Sequence, residues 1–224
     1  MSMKKSAILA VSILGLVGAL AAVPASAGPV VLYDNATVLS GTYDAWPINQ
    51  GFSVSDSFTL SSSSTVGGAD FNVWLSPGDT LSSVFFSIGT EPLYLGGGTN
   101  EEEGTAYPTA RFIEVNSDGY DIDEESFSIN SLPLVAGTYW FSLQNAVAVS
   151  GNPLIYWDMS NGPSVAYVST HGNTNGYAGV VGTNSDTFQI LGTSAAVTPE
   201  PSSFLLLGSG LLGLAGLIKR KLMA

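Results

Sequence analysis

The sequence contains no cysteine, one histidine and only six basic residues among 224. Without thiols it closes no disulfide, so an exported domain of this chain has to draw its stability from core burial alone. One histidine and no cysteine also fall short of the usual zinc shell. A Ser-His-Asp triad would have to use His171, which stands in the run Thr170-His171-Gly172-Asn173-Thr174-Asn175-Gly176. Such a Gly- and Asn-rich loop holds a general base poorly, and no Gly-X-Ser-X-Gly elbow is present. Positive charge is scarce and confined. Lys4, Lys5, Lys219, Arg220 and Lys221 lie near the termini, which leaves Arg111 as the single cation between residues 28 and 197. Seventeen of the 18 acidic residues share that stretch, for a net charge of −16. A surface so acidic repels phosphate backbones and excludes nucleic acid as a partner, while it keeps a secreted domain soluble. Helical spacing is the last absence, since no stretch of the same region sustains it.

What is present starts at the ends. Residues 1–27 have the three parts of a secretory signal peptide: Lys4 and Lys5, an apolar stretch from Ala7 to Ala22, and a small-residue site at Ala25-Ser26-Ala27 after Pro24. Cleavage after Ala27 makes Gly28 the mature N-terminus. Signal peptidase and the export machinery are the partners this segment predicts.

Residues 198–224 repeat the theme at the other end. Pro199-Glu200-Pro201 lacks two backbone donors and favours extended geometry, so it stays outside any helix or central strand. The uncharged run Phe204 to Ile218 follows, about 22 Å long as a helix against a hydrocarbon core of roughly 30 Å. Apolar residues occupy every side of it, unlike a core helix. Lys219, Arg220 and Lys221 then hold the C-terminus in the cytoplasm and stop transfer. This order resembles the PEP-CTERM sorting signal of Gram-negative bacteria. The resemblance implies that an exosortase-like membrane enzyme reads Pro199, Glu200 and Pro201 and removes the span, after a transient stay in the inner membrane. The protein is then released to the cell surface or extracellular matrix, as a GPI signal is processed. Gly208, Gly210, Gly213 and Gly216 fit either an easily unwound helix or helix-packing positions. A plain C-terminal anchor is the rival reading of the same tail.

Between the two signals, residues 28–197 are enough for one domain with a sizeable core. Phe52, Val54, Phe58 and Leu60 alternate with polar residues, with Asp56 breaking the apolar face. Similar alternation recurs at Phe71 to Leu75, Val84 to Ile88, Ile113 to Val115, Phe127 to Ile129, Tyr139 to Leu143, Ile155 to Trp157, Val165 to Tyr167 and Phe188 to Ile190. Turn residues separate these runs at Ser76-Pro77-Gly78-Asp79, Ser117-Asp118-Gly119, Val135-Ala136-Gly137, Gly151-Asn152-Pro153 and Asn161-Gly162-Pro163. Nine or ten short strands without helices predict an all-β domain, a single antiparallel β-sandwich with jelly-roll-like crossing. The low-complexity stretch Gly96 to Gly104 reads as a mobile loop tip. The strand Asp56 to Leu60, the run Ala136 to Leu143 and the Trp157-Asp158 pair resemble β-sandwich ectodomains found upstream of PEP-CTERM tails. That resemblance supports the fold and transfers no site.

No residue of the domain is assigned a catalytic role, and no cofactor is expected. Calcium is the one metal the residues suggest: Glu114, Asn116 and Asp118 alternate before Gly119, and Glu125 falls where an EF-hand loop places its bidentate ligand. Glu114 in place of aspartate, Asp121 in place of an apolar residue, and flanks without helical pattern favour a hairpin turn instead. Trp74 and Trp140 lie out of phase with the apolar faces of their strands and are candidates for a glycan-stacking platform, with core or edge packing as the competing reading. The sequence thus favours a non-enzymatic exported protein of the exopolysaccharide or biofilm matrix. A carbohydrate-binding module is the alternative, and a secreted glycoside hydrolase using paired carboxylates a second one.

Overall fold

A computed structural model describes residues 29–35, 44–93, 99–170, 180–181 and 185–194 of the domain, and 207–211, 215, 218, 219 and 222 of the tail. The expected signal peptide with Ala25, Ala27 and Gly28 lies outside the described residues. So do His171, Pro199, Glu200, Pro201, Arg220 and Lys221.

The alternating runs form strands. In chain order these are β1 (Val30–Asp34), β2 (Ala45–Pro47), β3 (Phe52–Leu60), β4 (Ser64–Leu75), β5 (Leu81–Gly89), β6 (Asn100–Ala106) and β7 (Thr109–Val115). They continue with β8 (Asp121–Leu134), β9 (Gly137–Ala148), β10 (Tyr156–Ser160), β11 (Ala166–Thr170), β12 (Val180–Val181), β13 (Ser185–Asp186) and β14 (Phe188–Ser194). Two antiparallel sheets result. An 8-stranded sheet runs β1-β14-β4-β10-β13, with β8 on the other side of β4, β7 outside β8, and β2 on β10. A 6-stranded sheet runs β12-β11-β3-β9-β5-β6. The chain crosses repeatedly between them, so the long strands β4 and β9 have partners distant in sequence on both sides.

The two inner faces meet in one apolar core. At its centre Phe71 and Phe188 of the first sheet pack on Phe141 of the second at ring separations of 6.5 and 5.6 Å, and Trp157 closes the group 5.5 Å from Phe141. Each of these four rings is fully buried. Asp56 interrupts the inward face of β3, as its place in the alternation predicts, and is fully buried. Turn glycines stand where the backbone needs a left-handed residue: Gly78 at φ 75° and Gly119 at φ 82°.

The structure corrects one expectation here. Within Gly96 to Gly104, residues 100–104 are strand, not loop tip, and pair with β5 through Ile88↔Glu102 and Ser87↔Glu103. Glu101, Glu102 and Glu103 carry this edge strand, and their charge keeps a further strand from adding to it. The strands are also more numerous and longer than the sequence suggests. β8 reaches 14 residues because it runs through Ile129 to Leu134.

Candidate functional site

β4 and β14 lie side by side in the first sheet, and the chain places polar residues at both ends of the pair. At one end the sheet opens into a groove. β4 slips register against β8 between Val66 and Gly68, and there the partners on β8 jump from Leu132 to Ser128. β14 slips against β4 at the same level, between Leu191 and Gly192. Bulges bend strands, and two register slips at one level across three adjacent strands make a concavity. Its volume is about 830 Å³.

The floor contains Gly67, Gly68 and Gly192. A Cβ on Gly68 would stand 2.8 Å from the Phe127 carbonyl oxygen, and one on Gly192 would run into the Thr65 carbonyl. Strand approach therefore requires glycine at both. Gly67 is different, with only the Gly192 Cα within 4 Å, at 3.9 Å. Hydroxyls of Thr65, Ser126, Ser128 and Thr193 line the sides. Tyr107, between β6 and β7, stands at the rim with 76% of its surface exposed. Asp70 is the single carboxylate of the lining. Burial raises its pKa, Glu124 adds to that, and the hydroxyl of Ser126 opposite it and the Arg111 guanidinium pull it back. Arg111 itself is engaged, donating from Nε and Nη2 to Glu124 at 3.1 and 2.8 Å.

At the other end the polar residues are sealed. Asp56, Asp158 and Asp186 are all fully buried. Asp56 accepts from the backbone amides of Ser57 and Asp186, both at 2.6 Å, and from Asn35 Nδ2 at 3.2 Å. Asp158 Oδ1 accepts from Trp74 Nε1 at 2.8 Å. Its Oδ2 and both carboxylate oxygens of Asp186 have no hydrogen-bond partner among the described residues. Burial pushes the Asp56 carboxyl up to about 6 and that of Asp158 up to about 7. Asp186 is raised well above the ordinary carboxylate range, first by burial and then by the charges of Asp56 and Asp158. On β8, Glu125 repeats the pattern. It is fully buried, both of its oxygens lack partners among the described residues, and burial with the Asp123 charge lifts it to about 7.

Perturbed carboxyls often mark acid–base chemistry, but a general acid or base has to come within about 3 Å of the proton it moves. These groups are buried away from solvent.

The sequence-predicted residues are distributed as follows. Asn116 caps the turn after β7, its Oδ1 accepting from the amides of Asp118 and Tyr120 at 3.0 and 2.9 Å. Glu114 pairs with Ile122, whereas Glu125 lies opposite Ala110, four positions along β7 and hence about 13 Å away. The hairpin therefore keeps Glu125 apart from Glu114, Asn116 and Asp118, because a β-ladder extends the chain that an EF-hand loop would wrap. Among the described residues no group of three or more His, Cys, Asp or Glu could hold a metal ion. Trp74 does turn away from the inner core, but Tyr120 and Tyr156 cover it at 5.9 and 6.4 Å and leave it 6% exposed. It offers no face to a sugar. Trp140 is half-buried and packs edge-on against Tyr167 at 5.1 Å. The groove residues Tyr107 and Asp70 had no signal of their own, although Gly67-Gly68 inside a strand is what a bulge looks like in sequence.

In the tail, Lys219 and the apolar Leu207, Leu211, Ile218 and Leu222 are helical and exposed. No helix among the described residues is long and apolar enough to cross a membrane. Among the described residues the core includes nothing beyond Ile190, and the last strand ends at Ser194.

The molecule is thus a two-sheet β domain with a separate apolar tail attached after its final strand. That tail, residues 197–221, matches the PEP-CTERM protein-sorting motif, and the match takes in Pro199, Glu200, Pro201 and Lys219 to Lys221. The motif marks the chain as an exported protein sorted by an exosortase-like system. No curated protein matches the chain.

Proposed function

We propose that the chain is a cargo of the exosortase system whose folded domain ends at the cell surface or in the exopolysaccharide or biofilm matrix, where it acts as a structural or interaction protein and not as an enzyme. The observation that carries this reading is the position of the sorting motif. It begins at residue 197, just past the last described strand, and no described residue of it belongs to the core. Removing such a tail leaves every strand pairing of the domain in place. The apolar side chains of its helical residues find no cover on the domain, as suits a segment destined for lipid. The sealing of the perturbed carboxyls supports the non-catalytic part.

Fractionation of the native host tests the destination. The wild-type domain is expected in the surface or medium fraction, and a variant with Pro199, Glu200 and Pro201 all replaced by alanine is expected in the inner membrane. Equal distribution of the two forms contradicts the proposal.

A further inference from the structure

The groove at the bulged end of β4 is a large concavity in which polar groups remain open to solvent. We propose that it binds a segment of a neutral polysaccharide, with Asp70 accepting hydrogen bonds from sugar hydroxyls and Tyr107 stacking on a pyranose face. The inference deepens the matrix reading and rests on it for its biological sense, though not for its test.

Four observations converge on this ligand class. First, a volume of about 830 Å³ falls in the range of roughly 300–1,000 Å³ typical of ligand sites. Second, the floor is made of glycine by construction. Coincident bulges bring the strands so close that Gly68 and Gly192 admit no side chain, and the depth of the groove is therefore a property of the backbone. Third, the lining is chemically matched to polyols. Each hydroxyl both donates and accepts, as a sugar hydroxyl does, and Thr65, Ser126, Ser128 and Thr193 supply several around a single carboxylate. A carboxylate accepts hydrogen bonds from a vicinal diol more strongly than a neutral oxygen would. Fourth, Tyr107 is an aromatic ring held at the rim and 76% exposed, with its face uncommitted to any other ring among the described residues.

Charge then narrows the class. Asp70 stands in the field of Glu124, and the only cation of the domain, Arg111, is already paired with Glu124. Uronic acids, phosphate and sulfate esters would meet this field unpaired. A cation would find only one carboxylate in the lining.

The test uses the full-length chain in detergent micelles and isothermal titration calorimetry. The probes are cellohexaose, laminarihexaose, maltohexaose and mannohexaose, with hexagalacturonate as the anionic counterpart. We expect at least one neutral hexaose to bind and hexagalacturonate not to. Asp70→Asn should weaken that binding about 10-fold or more, the worth of a hydrogen bond to a charged group. Tyr107→Ala should weaken it about 2- to 10-fold. Gly67→Phe, placed where the backbone leaves room, should abolish it by filling the floor. Trp140→Ala should leave affinity unchanged. Tyr107 is so exposed that its removal cannot be confused with misfolding, and an unchanged melting temperature checks the other variants. No binding to any neutral probe, tighter binding of hexagalacturonate, or affinity that ignores Asp70 and Tyr107 while following Trp140 would each overturn the proposal. Because affinity is measured in solution, it can fail while delivery to the surface stands, and the reverse.

Discussion

The two ends of the β4–β14 pair are both polar, yet they use polarity in opposite ways. At the Thr65–Asp70 end, hydroxyls and one carboxylate line an open groove, and solvent or ligand can satisfy them. At the Asp56–Asp158–Asp186 end, three carboxyls are fully buried, and three of their oxygens have no partner among the described residues. The difference comes from the backbone. Bulges bend the sheet into a concavity at the first end, whereas regular pairing of β10 with β13 and the Thr187 amide bonded to the Asp158 carbonyl at 2.8 Å close it at the second. An open polar cluster remains available for recognition. A sealed one can only adjust its protons, and so becomes a determinant of stability.

The comparison can be broken most directly at the floor of the groove. Gly192→Ala drives a Cβ into the Thr65 carbonyl and should cost about 3 kcal/mol by overpacking, read as a lower chemical-denaturation midpoint. Gly67→Ala, with its nearest neighbour at 3.9 Å, should leave the midpoint almost where it was. Equal losses at the two glycines would mean that bulge geometry does not set the floor.

Next in size is the pH response of the sealed end. Asp56, Asp158, Glu125 and Asp186 all have folded pKa values above those of the unfolded chain, which are about 4. The folded state therefore binds more protons. The stability these groups contribute is complete below about pH 4 and is lost as pH rises through 6 to 7, and further for Asp186. Asp79 has a lowered pKa and acts in the opposite direction, but it is one group against four. Thermal unfolding should occur at least about 4 °C higher at pH 5 than at pH 8. Asp186→Asn should raise the midpoint at pH 8 and narrow that difference. A midpoint that climbs from pH 5 to pH 8 would contradict the sealed arrangement.

The smallest effects belong to the open end. Tyr107→Ala and Arg111→Ala act on exposed groups and should leave the melting temperature unchanged at either pH. A clear drop with Tyr107→Ala would make the rim part of the packing and remove the contrast.

The sandwich was legible because Phe52 to Leu60, Phe71 to Leu75 and Tyr139 to Leu143 alternate so regularly that one face had to be buried. Asp56 could be picked out for the same reason. Its companions could not, since Asp158 and Asp186 join it only through pairing between β10 and β13, far apart from β3 in the chain. The hairpin turn at Asn116 to Gly119 was legible too, but the spacing gave no sign that the ladder with β7 and β4 turns Glu125 inward. Trp74 followed the alternation correctly. Its cover by Tyr120 and Tyr156 depends on a turn and a strand that alternation does not reach. The groove was the least visible feature, because it arises from two register slips among three strands far apart in the chain. The sorting motif was the most visible, since its order along the chain carries its meaning without any fold.

The account rests on a domain that is complete without its tail, and the intact mass of the mature protein from its native host tests this most directly. We predict a species that begins at Gly28, ends near Pro201 and retains the folded domain's melting temperature. A mature species that keeps the apolar run and Lys219 to Lys221 would contradict removal of the tail and leave a membrane-tethered domain in its place.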